Sequence, residues 1–121
     1  MWALNGIKAL AEKIAKIGAK NVLIKGIDRG KKLYNCILTE DGNYCEREID
    51  LLPFRMHGTG DLFGSVLVGG ILSGHTLIEA VDSSALFVYE VMKYSKTVEG
   101  YHDRGACFEP LLYKLQGGIC I

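Results

Sequence analysis

Apolar residues recur every three or four positions over residues 3–17. Leu4, Ile7, Leu10, Ile14 and Ile17 face one way, and Lys8, Glu12, Lys13 and Lys16 the other. That period predicts an amphipathic helix, with Gly18 as its C-terminal cap. The pattern then changes. "NVLIKGI", residues 21–27, is a short run of branched residues and predicts a parallel-type strand buried on both faces. Residues 28–32 form a polar turn around Gly30. "LYNCILT" (33–39) and "NYCEREI" (43–49) flank "EDG", which predicts two strands joined by an Asp-Gly hairpin turn. Pro53 ends that unit.

Residues 54–74, "FRMHGTGDLFGSVLVGGILSG", run a polar Gly-Thr-Gly-Asp element straight into an uncharged, small-residue stretch. This predicts a buried helix starting at Gly60 or Asp61, with Gly74 as its cap. "TLIE" (76–79) is a capping-box pattern that starts the next helix, whose apolar stripe is Ile78, Val81, Ala85, Val88 and Met92. Residues 95–106 read as a loop and residues 109–115 as a short last helix. The order is helix, strand, β-hairpin, glycine turn, two helices and a short terminal helix. This is an α/β pattern over residues 1–121, read as a single domain. Three strands make a meagre sheet, so the chain reads as the end of something larger, with an open edge that self-association or a complementary chain would cover.

Composition narrows the partners. The 14 Lys and Arg balance the 14 Asp and Glu, so no overall charge favours nucleic acid or an anionic membrane. Residues 62–78 are uncharged but carry His75, two serines, Thr76 and four glycines, which suits a core helix better than a bilayer span. Residues 1–6 hold neither a basic start nor a long apolar block, so no secretory signal is expected. Cys36, Cys45, Cys107 and Cys120 show no metal-ligand spacing. They read as free thiols of a cytoplasmic protein, with a Cys36–Cys45 bridge as the alternative. His75 and His102 likewise carry no metal spacing, and His57 reads as a hydrogen-bonding loop residue.

The glycine turn carries the candidate chemistry. A helix starting here leaves its first N–H groups without internal partners. Glycines at 58 and 60 can take positive φ and let a ligand approach the backbone. With the positive end of the helix dipole, Gly58, Thr59 and Gly60 make an anion site, and Asp61 sets a carboxylate beside it. The same four residues also suit a plain turn with a capping aspartate. No GxxxxGK[ST] and no GxGxxG after a strand occur, so neither a P-loop nor a Rossmann site is supported.

"NVLIKGI", the hairpin, "HGTGDLFGSVLVGGILSG", "TLIEAVDSSALFVYEVM" and "CFEPLL" together resemble the C-terminal part of ribokinase-like kinases, nearest the pyridoxal/pyridoxamine kinase branch. The resemblance implies the C-terminal portion of a three-layer fold, using ATP and Mg²⁺ to phosphorylate the hydroxymethyl group of a B6 vitamer. It implies Asp61 as catalytic base and the amides of Gly58, Thr59 and Gly60 as anion hole. Lys25 and Gly26, at the end of "VLIKG", fall where related hydroxymethylpyrimidine kinases meet ATP phosphate. That lysine makes an aminopyrimidine alcohol the alternative substrate, although those kinases usually carry Cys at the place of Asp61. A non-catalytic nucleotide-binding remnant or a structural domain is the further alternative. The resemblance places the vitamin-binding half outside this chain, which is therefore expected to be inactive alone.

Overall fold

In the computed structural model, which describes residues 4–120, the chain gathers into two compact units, one ending at Leu51 and the other beginning at Leu52. Of the first helix, Ala3 and the Leu4 side chain lie outside the described residues.

In the first unit, α1 (Leu4–Lys16) packs against β1 (Val22–Arg29) and β2 (Lys32–Leu38) of a sheet ordered β1-β2-β3, with β3 spanning Tyr44–Asp50. Ile7 and Ala11 are fully buried, and Ala11 clusters with Val22 and Leu38. Ile17, expected on the buried face, is 88% exposed. It lies past the helix end, which Gly18 closes at φ 130° by donating its N–H to the Ala15 carbonyl at 3.0 Å.

Two expectations for β1 need correcting. The strand pairs antiparallel with β2, and it is not buried on both faces, since Lys25 and Gly26 are exposed. The cause is the turn. Only Gly30 and Lys31 form it, so β1 extends to Arg29, which pairs with Lys32. Gly30, at φ 72°, supplies the positive φ that a two-residue hairpin turn needs.

The second hairpin matches expectation to within a residue. In its register Ile37 faces Cys45 and Cys36 faces Glu46. Neighbouring residues on a strand point to opposite faces, so Cys36 and Cys45 diverge, and all four cysteines are free thiols. Burial pushes the thiols of Cys36 and Cys120 up.

The second unit packs α2 (Thr59–Leu72) on α3 (Leu77–Ser95). A four-residue α4 (Tyr101–Arg104), a 3-10 helix (Glu109–Lys114) and a small ribbon of β4 (Leu115–Gln116) and β5 (Ile119–Cys120) complete it. The stretch expected to be loop thus contains α4, the last helix is 3-10 rather than α, and the ribbon was not anticipated. Gly117 and Gly118, at φ 61° and 88°, turn that ribbon. Val66, Phe87, Val91, Leu111 and Cys120 form the core.

The capping box of α3 is complete. Thr76 Oγ1 accepts from the Glu79 N–H at 3.2 Å, and Glu79 Oε1 accepts from the Thr76 N–H at 2.9 Å. Its buried stripe is not the expected one. Of the five residues named, only Val81 is buried, and the inner face runs Ala80, Ser83, Ser84, Phe87, Val91 and Ser95. The serines are buried because each satisfies main chain. Ser83 Oγ accepts from the Cys120 N–H at 2.6 Å, Ser95 Oγ accepts from the Cys107 N–H at 2.7 Å, and Ser84 Oγ donates to the Ala80 carbonyl. Small hydroxyls therefore fix the C-terminal segment to α3. Among the described residues, no helix is long and apolar enough to cross a membrane.

Candidate functional site

The start of α2 is built for open donors. Gly58 is its N-cap, at φ 86° and ψ 0°, with no side-chain cap. The first main-chain helical bond runs from the Leu62 N–H to the Gly58 carbonyl at 3.1 Å. The N–H groups of Thr59, Gly60 and Asp61 are therefore left without helical partners. The helix begins at Thr59, one or two residues earlier than the sequence pattern suggested. Only Gly58 needs positive φ. Gly60 sits within the first turn, where an added Cβ would meet nothing within 4 Å.

Asp61 is exposed in that first turn, a position the helix dipole favours for a carboxylate. Its main-chain carbonyl accepts from Ser65 Oγ at 2.9 Å, and Thr59 Oγ1 donates to the Met56 carbonyl at 3.4 Å. Gly58 and Asp61 open onto a cavity of about 530 Å³. Val66, Phe87, Phe108 and Leu115 give it an apolar interior, while His57, Asp61 and Arg104 supply its ionisable groups. Thr59 and Gly60 lie beside it in the same helical turn.

His57 acts through its main chain. Its carbonyl accepts from the Ala106 N–H at 3.0 Å, and an added Cβ on Gly105 would lie 2.8 Å from that oxygen. His75, by contrast, uses its ring, with Nε2 2.6 Å from the Gly117 carbonyl.

Lys25 and Gly26 belong to the first unit, where the β1–β2 register slips between Ile24 and Ile27. Such a bulge re-aims side chains and often lies beside functional sites. Gly26, at φ 77°, donates its N–H to Oδ1 of the buried Asn35 at 3.1 Å. The main-chain donor of Gly26 is thus occupied, while Lys25 stands exposed beside it.

Sequence reasoning missed Arg104 and the apolar wall from Ala106 to Leu115. The only signal was "RG" in a loop, and the neighbourhood of Arg104 depends on contacts far along the chain.

Mg²⁺ binds through one or two carboxylates together with phosphate oxygens. Among the described residues no group of three or more His, Cys, Asp or Glu gathers. Asp61 is the one carboxylate on the cavity, so the residues present supply at most a single ligand, and phosphate oxygens would have to provide most of the rest.

The profile of a family described as phosphomethylpyrimidine kinase matches residues 3–105. A hydroxymethylpyrimidine/phosphomethylpyrimidine kinase of Aquifex aeolicus is 31% identical over 101 residues, which is 82% of this chain and 40% of that protein. Among solved structures, a protein of Bacteroides thetaiotaomicron described as a phosphomethylpyrimidine kinase superimposes with TM-score 0.88 at 22% identity, over 95% of this chain and 40% of its own. One crystal form of that protein was obtained with pyridoxal. The pyridoxal kinase of Entamoeba histolytica superimposes with TM-score 0.80 at 16% identity, over 96% of this chain and 41% of its own. The chain thus has the fold of part of a ribokinase-like kinase and spans about 40% of the length of the relatives it matches.

Proposed function

Because the chain belongs to the phosphomethylpyrimidine kinase family, we propose that it carries the phosphate-holding turn and the base of an ATP-dependent kinase acting on the hydroxymethyl group of a B6 vitamer. One observation carries this reading. A left-handed glycine cap leaves three N–H donors open beside a carboxylate, at the mouth of a cavity.

The geometry supports the following division of labour. The N–H groups of Thr59, Gly60 and Asp61, with the helix dipole, hold the oxygens of the transferring phosphoryl group. The Asp61 carboxylate accepts the hydrogen bond, and then the proton, of the attacking hydroxyl. In a loose transition state that proton leaves late, so a weak base held in place suffices. A bound Mg²⁺ would neutralise charge on the phosphates. For Lys25, in the first unit beside the bulge, a phosphate contact is supported by the family resemblance alone. Asp61, rather than Cys, favours a B6 vitamer over the aminopyrimidine alcohol.

Transfer also needs the acceptor in line with the phosphate, and a misplacement of about 1 Å can cost about a hundredfold. The chain alone should therefore bind ATP yet leave pyridoxal unphosphorylated. Adding the N-terminal part of a family member as a separate chain should restore turnover. Asp61→Asn should then lower that turnover by about 10²–10⁴-fold, the usual share of a general base, with ATP affinity nearly unchanged. Full activity in the Asn variant would remove Asp61 from its role, and absence of ATP binding at millimolar concentration would remove the anion site.

A further inference from the structure

The mouth of the cavity poses an electrostatic problem. Asp61 contributes a full negative charge, whereas a helix N-terminus offers the equivalent of only about half a positive charge. A polyphosphate arriving there meets a net repulsive site unless a cation stands close by. Among the residues lining the cavity, Arg104 is the one arginine or lysine. Among the described residues, no carboxylate lies within salt-bridge range of it.

The backbone that carries the exposed Arg104 side chain is held from both sides. Upstream, the Tyr101 ring meets Phe54 edge-on at 6.4 Å, and Lys96 lies over both rings, 4.3 Å from the Phe54 centroid and 5.6 Å from that of Tyr101. Downstream, the Ala106 N–H is bonded to the His57 carbonyl, and Gly105, at φ 74° and ψ −148°, lets the two backbones touch. That conformation is essentially restricted to glycine. Phe54 and His57 belong to the segment that leads into Gly58. The arm carrying Arg104 is thus clasped to the loop that sets the glycine turn.

We propose that Arg104 is a phosphate-binding residue of this site, whose guanidinium takes the terminal phosphoryl group of a nucleoside triphosphate opposite the open N–H groups of α2. The proposal rests on the kinase reading above and adds a ligand contact to it. A planar guanidinium can grip two phosphoryl oxygens at once, which lysine cannot.

The test is calorimetric titration of the purified chain with ATP and with ADP, in the parent and in Arg104→Gln and Arg104→Lys, with circular dichroism to confirm the fold. The parent should bind ATP more tightly than ADP. Arg104→Gln should weaken ATP by about ten- to a hundredfold, the loss of a charge-assisted hydrogen bond, and leave ADP nearly unchanged. A structural defect would lower both affinities together, so loss of the ATP-over-ADP preference is the decisive readout. Arg104→Lys should keep part of that preference. Should the Gln variant fail to fold, the Lys variant decides, and parent-like ATP affinity there overturns the proposal. ATP binding that is unchanged in Arg104→Gln also overturns it, with the kinase reading left standing. If the parent binds neither nucleotide, both fall.

Discussion

Gly69 and Gly70 are neighbours in α2, yet alanine should move stability in opposite directions at the two. At Gly69 an added Cβ meets nothing within 4 Å, so only backbone entropy and helix propensity change. At Gly70 the same atom would lie 3.1 Å from Ala80 Cβ and 3.1 Å from the Gly118 carbonyl oxygen. Neither neighbour gives way easily. Ala80 is fully buried on α3, and a side chain's worth of space beside Gly118 is already taken by Ser73. Replacing a mid-helix glycine by alanine gains about 0.5–1 kcal/mol at either site. Overpacking a tight seam costs about 1–3 kcal/mol, and only Gly70 incurs it. Gly69→Ala should therefore stabilise by about 0.5–1 kcal/mol, and Gly70→Ala should destabilise by about 0.5–2 kcal/mol. The propensity gain is common to both, so the gap between them isolates the packing cost. Urea unfolding followed at 222 nm measures it. A gap below about 0.5 kcal/mol would show that α2 and α3 do not approach as closely as Gly70 indicates.

Other expectations follow from the same contacts. Thr76→Ala removes one half of the capping box and should cost about 1 kcal/mol in the same assay. The hydrogen bonds from Thr76 hold the Glu79 carboxyl below the usual glutamate range. A carboxyl whose folded pKa is depressed adds stability that is present above its unfolded pKa and lost as pH falls through the folded one. Stability should thus decline on acidification below the ordinary glutamate range, and Glu79→Gln should flatten that decline. Val68, Ile71 and Leu72 on α2 are 55%, 44% and 81% exposed, which favours association of the isolated chain. Sedimentation should show oligomers that Leu72→Glu shifts toward monomer, and a strictly monomeric parent would refute this.

The sequence spoke clearly wherever the signal was local. The period of α1, the Asp-Gly hairpin, the Thr76–Glu79 box and the Gly-Thr-Gly-Asp turn all depend on residues within a few positions of one another. It misled wherever tertiary contacts decided. The stripe of α3 was read from its aliphatic residues, but Ser83, Ser84 and Ser95 turn inward because main-chain partners wait there. The β1 strand looked parallel because a continuous apolar run suits a doubly buried strand, and nothing in that run shows that Gly30 folds β2 back beside it. Arg104 was invisible for a related reason. Its place at the cavity is set by Tyr101, Gly105 and Ala106 meeting Phe54 and His57, more than forty residues earlier in the chain.

The two long helices of the second unit begin in opposite ways, and the difference bears on function. α3 starts with reciprocal side-chain bonds that satisfy its terminal donors. α2 starts on a glycine with no side-chain cap and carries Gly60, Gly64, Gly69 and Gly70 within its span. Each mid-helix glycine weakens it by about 0.5–1 kcal/mol relative to alanine, so local forces alone would not hold this helix. Burial of Phe63, Val66 and Gly70 holds it instead, and the clasp of residues 105 and 106 on His57 fixes the loop that leads into it. At φ 86°, position 58 is strained for Ser or Asp and lacks the extended conformation that a capping side chain needs, so the backbone itself keeps these N–H groups open to an anion. The open start suits the proposed phosphate site, and the stability it forgoes is restored through packing, away from the donors.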